Sequence, residues 1–205
     1  MSRTHTHGGT CCGALTSPSG FGAFDASAGG LKWLLEPAPD AETPGVRVAV
    51  SENLAASLVH ADSAERCVRW VEDADLEFWG VTRDSVTSAA SQGLDALLDE
   101  LSWRPRPVTQ GRAFQLEGRT LFRASMICAP AFAGQAFERL GPALFAVAPT
   151  PELVIVFDDL GALGTLGPEL LRAWARAPER LSLEVLAHAP DAPLGWRVAG
   201  TLESA

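Results

Sequence analysis

Two apolar runs separated by four residues constrain this chain more than any other feature. Ala143-Leu-Phe-Ala-Val-Ala148 and Leu153-Val-Ile-Val-Phe157 each have the length and apolar content of a buried strand. The link between them is Pro149-Thr150-Pro151-Glu152. A parallel pair needs a crossover of roughly a dozen residues or more, so these two runs must form an antiparallel hairpin. The surrounding stretch, 140–157, is also the best membrane-span candidate. Pro142, Pro149, Pro151 and Glu152 interrupt it, and no span is expected there.

The periodicity on either side of the hairpin alternates between strand and helix. Val46, Val48 and Val50 alternate with Arg47 and Ala49, which predicts a strand, with its pair or extension over 53–59. Cys67 to Val71 is a third short strand. Asp73 to Trp79 predicts a helical turn. A longer helix opens at Gly80 and Thr82, with Val86, Ala90, Leu94, Leu97 and Leu101 on one stripe and Asp84, Asp95 and Asp99 off it. Pro105 and Pro107 are expected to close that region. Residues 112–125 read as a hairpin about Gly118, and Phe132 to Leu140 as a short helix stopped by Gly141 and Pro142. Leu166, Leu170, Trp174 and Ala177 lie on one helical face with Pro168 near the first turn. Leu181–Leu186 and Trp196–Thr201 are the last strands. Hairpins with helices between them predict an α+β domain with a mixed or mostly antiparallel sheet and two or three packed helices.

Composition sets the expected boundaries. Gly, Pro, Ser and Thr fill 20 of the first 44 positions. Such a segment has little apolar surface to offset its ordering entropy. Residues 1–44 are therefore expected to be a flexible lead, and 45–205 a single folded domain. One island, Gly30-Leu31-Lys32-Trp33-Leu34-Leu35, could dock on that domain as a helical turn or a strand. The opening residues carry no apolar run of the length a secretory signal needs, so a cytoplasmic location is expected.

The order of elements carries a resemblance. The segment VRWVEDADLEFWGVTRDSVTSAASQGLDAL runs from a strand into acidic residues, a Trp-containing turn and a Thr-opened helix. Later, ALFAVAPTPELVIVFDD follows a short helix with a strand, a Pro turn and a strand. Across about residues 45–175 this pattern resembles the YtpQ-like proteins, a bacterial family of unknown function (domain of unknown function fourteen-forty-four). The resemblance implies a cytoplasmic bacterial protein. It assigns no activity, cofactor or catalytic residue.

The residues themselves exclude several chemistries. The net charge is −9, and the basic residues are 15 Arg against one Lys, so a generic basic nucleic-acid binder is not expected. Asp158 and Asp159 end an apolar strand, a position that holds metal in nucleotide hydrolases and nucleases. The nucleotide version needs a GxxxxGK[ST] loop, and the single lysine, Lys32, sits in SAGGLKW. A polar turn is the expected role of that pair. His5, His7, Cys11 and Cys12 offer zinc-type ligands without the CxxC spacing of a tetrahedral site. His60 with Cys67, and His188 with Cys128, are the conceivable base–nucleophile pairs. Cys67 and Cys128 lie in apolar runs and are expected to be core. No GxSxG, HExxH or paired CxxC occurs.

Charge is unevenly placed. Residues 45–101 carry −7 and residues 102–139 carry +4. Glu72, Asp73, Asp75 and Glu77 form an acidic edge, expected to be solvated or to receive arginines of a partner. Arg104 and Arg106, with Arg112, Arg119 and Arg123, form a basic stretch interleaved with Trp103 and Phe114, expected to pair with the acidic block upstream. Trp33, Trp103 and Trp196 lie outside the clearest apolar stripes. Tryptophan is enriched in interface anchors, so all three are suspects, and Trp33 and Trp103 join the charged clusters as interaction candidates.

These observations predict a non-enzymatic interaction or accessory domain whose partner is another protein, with no cofactor, nucleic acid or membrane. The alternative is a metal-dependent hydrolase or nuclease using Asp158 and Asp159. A third reading is a toxin-neutralising or secretion-accessory protein, for which acidic charge suits a basic partner.

Overall fold

A computed structural model describes residues 4–5, 23–38, 45–62 and 68–202. The chain forms two antiparallel sheets rather than one. The first contains β1 (Thr4–His5), β2 (Leu31–Pro37), β3 (Arg47–Ala49), β4 (Leu54–Ala61) and β5 (Val68–Trp70), in the order β1-β5-β4-β2 with β3 also paired to β4. The second contains β6 (Ser102–Arg106), β7 (Ala113–Glu117), β8 (Phe145–Thr150), β9 (Leu153–Phe157), β10 (Glu184–His188) and β11 (Trp196–Thr201), in the order β11-β10-β8-β9-β7-β6. The helices are α1 (Phe24–Ser27), α2 (Asp73–Trp79), α3 (Arg83–Leu98), α4 (Pro130–Leu140) and α5 (Leu163–Arg176). This is an α+β fold, and no helix among the described residues is long and apolar enough to cross a membrane.

The required hairpin is β8–β9, with Phe145 opposite Phe157 and Val147 opposite Ile155. Alternation along these strands divides the second sheet into two faces. Ala146, Ala148, Val154 and Val156 pack toward the first sheet, α3 and α4. Val147, Ile155 and Phe157 pack against Leu163, Leu166 and Leu170 of α5. β10 repeats the pattern, with Leu186 on the inner face and Val185 on the α5 face.

Three expectations are corrected. The first is the extent of the flexible lead: its island takes the strand form among the two expected, as β2, and pairs along its whole length with β4, from Leu31 opposite His60 to Pro37 opposite Leu54. The folded unit therefore takes in part of 1–44, because Leu31, Trp33 and Leu35 supply apolar surface that the Gly/Ser composition around them conceals. The outer edge of β2 is covered: Leu35 N donates to the buried Ser125 Oγ at 2.8 Å. Second, SWRPR is a strand, not a closing segment. Its Pro105 is tolerated because β6 is the outermost strand of its sheet, where a missing N–H breaks no ladder. Third, the hairpin partner of β7 is β6, with Trp103 opposite Leu116; residues 119–125 turn instead into a buried 3-10 segment, Ala124–Cys128.

Helix α3 follows its sequence signals closely. Thr82 Oγ1 accepts from Ser85 N at 3.3 Å, an N-cap bond. Val86, Ala90, Leu94 and Leu98 are buried, so the stripe ends on Leu98 and leaves Leu97 and Leu101 at its margin. Gly93 lets this helix approach β2 closely: a Cβ there would stand 2.3 Å from Leu31 O.

Candidate functional site

The acidic edge is largely consumed in capping α2. Glu72 N donates to Asp75 Oδ2 at 2.9 Å, and Arg69 Nη2 reaches Asp75 Oδ1 at 3.3 Å. Asp75 is buried, and burial pushes its carboxyl above the usual range despite the Glu72 amide and Arg69. Asp73 pairs with Arg83 at 2.6 Å on the surface. Glu77 faces solvent next to Phe78, the most exposed large apolar residue described, at 55%. Of the four carboxylates, Asp75 is thus part of the fold rather than a docking group.

Among the described residues, the ion pairs of Arg104, Arg106 and Arg112 run downstream rather than to the acidic block upstream. Arg104 meets Glu117 across the β6–β7 hairpin at 3.0 Å. Arg106 bonds Gln115 and Glu169, joining β6 to α5. Trp103 is half-buried: its Nε1 donates to Gln135 Oε1 at 2.9 Å, and Arg139 stacks over its ring at 5.1 Å. Trp33 is fully buried in the first sheet, so its role as an exposed anchor is overturned. Trp196 is also buried, donating Nε1 to Ile127 O at 2.7 Å.

Asp158 and Asp159 have structural employment. Asp158 Oδ1 accepts from Arg112 N at 2.6 Å and Oδ2 from Arg112 Nε at 2.9 Å. The same guanidinium donates to Arg139 O and Leu140 O, satisfying carbonyls at the end of α4. Asp159 accepts from Gly161 N at 2.7 Å and starts the turn into α5. Among the described residues no group of three or more His, Cys, Asp or Glu side chains is placed to hold a metal ion. His7, Cys11, Cys12 and Cys67 lie outside the described residues.

The most notable concavities lie on either side of one turn, 189–195, which joins β10 to β11. Ala189 N donates to Gly195 O at 2.8 Å, closing the turn. Leu194 within it has φ 54°, a left-handed conformation unusual for a branched side chain, and Leu194 packs partly against the core.

On one side, Cys128, His188, Trp196, Ile127, Pro130 and Leu194 line a cavity of about 290 Å³. Here the fold does bring Cys128 and His188 to one place. The chemistry does not follow. Burial pushes the Cys128 thiol up to about 12, far from a usable thiolate. Burial holds His188 below the ordinary histidine range, and its ring is edge-on to Phe137 at 4.9 Å and to Trp196 at 5.6 Å.

On the other side, Val50, Ser51, Glu52, Glu184, Pro193, Trp196, Arg197 and Val198 line a cavity of about 420 Å³. Glu184 is its distinctive group, a carboxylate only 5% exposed. It accepts from Ser51 Oγ at 2.5 Å, Asn53 Nδ2 at 2.8 Å and Ser182 Oγ at 3.0 Å. Ser51 and Asn53 belong to the β3–β4 turn, so these bonds tie the first sheet to the second. All three donors are neutral, and among the described residues no arginine or lysine forms an ion pair with Glu184.

The cavity opens at β11, which pairs only with β10 among the described residues. Val198 is 43% exposed. The two outer strands of this sheet differ. β6 carries Pro105 between Arg104 and Arg106, the usual protection of an edge. β11 has neither Pro nor a run of charge. Sequence reasoning missed Glu184, Glu52 and Val198. The available signal was a lone carboxylate inside the apolar run Leu181 to Leu186. Compared with known proteins, the chain matches no family model, no curated protein and no solved structure.

Proposed function

We propose that this chain is a non-enzymatic, cytoplasmic protein-binding domain, and that the face formed by β11 and the adjoining cavity receives the partner. The observation that carries this reading is the pairing of an unprotected outer strand with a concavity at its inner face. An exposed strand edge offers main-chain hydrogen bonds, and a neighbouring pocket adds side-chain selection. The charged clusters favour the same reading by subtraction, since Asp75, Asp158, Arg106 and Arg112 are occupied in holding the fold. The resemblance to the YtpQ-like family assigns no activity and is compatible with it. Affinity purification of the tagged full chain at low and high salt tests the proposal. The expected result is a stoichiometric protein partner. A chain that emerges without one at both salts overturns it.

A further inference from the structure

The identity of the partner's contact segment follows from Glu184, and the step rests on the reading of β11 as a binding face. A carboxylate this buried is normally matched by a cation, because desolvating a charge is expensive. Glu184 has three neutral donors and, among the described residues, no ion-pair partner. Glu52 adds a second, exposed carboxylate to the same cavity, and Arg197 lies beside them. The remaining walls, Val50, Pro193, Trp196 and Val198, are apolar. A cavity of this kind suits a cationic head on an apolar stem, the form of a lysine or arginine side chain.

The backbone of β11 supplies the means to deliver it. His188 N donates toward β8, to Leu144 O at 2.9 Å. By the alternation of an antiparallel ladder, Ala187 turns its polar groups to Arg197, and Trp196 and Val198 turn theirs outward. Trp196 N–H is already taken by Pro193 O in the preceding turn. The outward groups are therefore Trp196 C=O, Val198 N–H and Val198 C=O. The register shift opposite Val185 and Leu186 ends the regular stretch just after them. A strand added here would send alternate side chains to the same face as Trp196 and Val198, which is the face that lines the cavity.

We infer that this site takes an extended, basic segment of a partner protein, added as a short strand to β11 with a lysine or arginine side chain seated against Glu184 and Glu52. The probe is a capped peptide of alternating lysine and valine, about six residues long, the usual length of a strand. Its control replaces lysine with glutamate. Calorimetric titration of the full chain should show the lysine peptide binding at least about tenfold tighter than the control, with affinity falling as salt rises. Val198→Pro removes the outward N–H without touching the β10 ladder and should abolish binding. Glu52→Lys, at the exposed mouth, should weaken it at least about tenfold whether or not the proline variant folds. No binding of the lysine peptide, equal affinity for both peptides, or full affinity in Glu52→Lys would each overturn the inference. Those outcomes leave the broader reading standing if purification still yields a stoichiometric protein partner.

Discussion

Replacing Gly93 with alanine sets two known effects against each other. Gly93 lies inside α3, where alanine is favoured over glycine by about 1 kcal/mol on helix propensity alone. The alanine Cβ would stand 2.3 Å from Leu31 O and 3.5 Å from Leu31 C, both backbone atoms of a strand paired to β4 at every residue. Neither side can give cheaply. On α3, Val86, Ala90, Leu94 and Leu98 are buried in the common core, and moving the helix outward opens space beneath all four. Overpacking of this type costs about 1–3 kcal/mol and sometimes more. A Cβ at 2.3 Å from a backbone oxygen belongs in the upper part of that range, about 2–3 kcal/mol, so the clash prevails with a net loss of about 1–2 kcal/mol. For a chain of this size that is a fall in Tm of roughly 2–8 °C. Gly134 is the internal control, a helical glycine in α4 whose added Cβ meets nothing within 4 Å. Gly134→Ala should gain about 0.5–1 kcal/mol. Urea denaturation of the two variants and the parent, followed by circular dichroism, reads both values. A Gly93→Ala variant as stable as Gly134→Ala would refute the close approach of α3 to β2.

Three further perturbations test other contacts. Glu184→Ala removes the group that Ser51, Asn53 and Ser182 share, and should lower stability by about 1–3 kcal/mol in chemical denaturation; an unchanged midpoint would show that the two sheets do not depend on this link. Trp196→Phe leaves Ile127 O without its indole donor and should cost about 1–3 kcal/mol by the same measurement. Stability should also respond to pH with opposite signs at two places. His60 and His188 are both held below 6.5, so each contributes stability that is present above that value and lost as pH falls through its folded pKa. Asp75 is held above 3.8, so its contribution is present below that value and lost as pH rises through its folded pKa. Acidification from neutrality should first destabilise the parent. The parent should then gain on Asp75→Asn as pH approaches 3.8.

Local structure was legible wherever a short-range signal decided it. The Asp73–Trp79 helix matches its expected span. The β8–β9 hairpin was dictated by the length of its link. Errors arose where a residue's meaning depends on its place in a sheet. Pro105 stops a helix or an inner strand, yet it sits comfortably on an outer strand, and no local pattern says that SWRPR will be outermost. Trp33 looked like a surface anchor because it lies outside the clearest apolar stripes, in a segment rich in glycine and proline. Two-sided burial, against β4 on one hand and the helical layer on the other, became visible only with the pairing of β2. The same holds for charge. Arg112 finds Asp158 across 46 positions and Arg106 finds Glu169 across 63, while no ion pair joins either to the described residues of the acidic block nearest in sequence.

That dependence on topology also explains why the candidate site escaped a reading of motifs. Catalytic motifs are compact in sequence because a turn or one helical face must hold several groups at once. The β11 face has no such requirement. Its carboxylates come from the β3–β4 turn and from β10, and its open backbone groups come from β11. What makes Glu184 unusual is a buried carboxylate whose donors among the described residues are all neutral, a property of its surroundings that residue type alone does not carry. What makes β11 unusual is being last in the sheet without the proline and flanking arginine pair that guard β6; it carries the single Arg197. The two features adjoin only because the turn through Leu194 folds β11 back against β10. The geometry of that turn, rather than any compact string of residues, sets whether an acidic cavity and an open strand edge act as one surface.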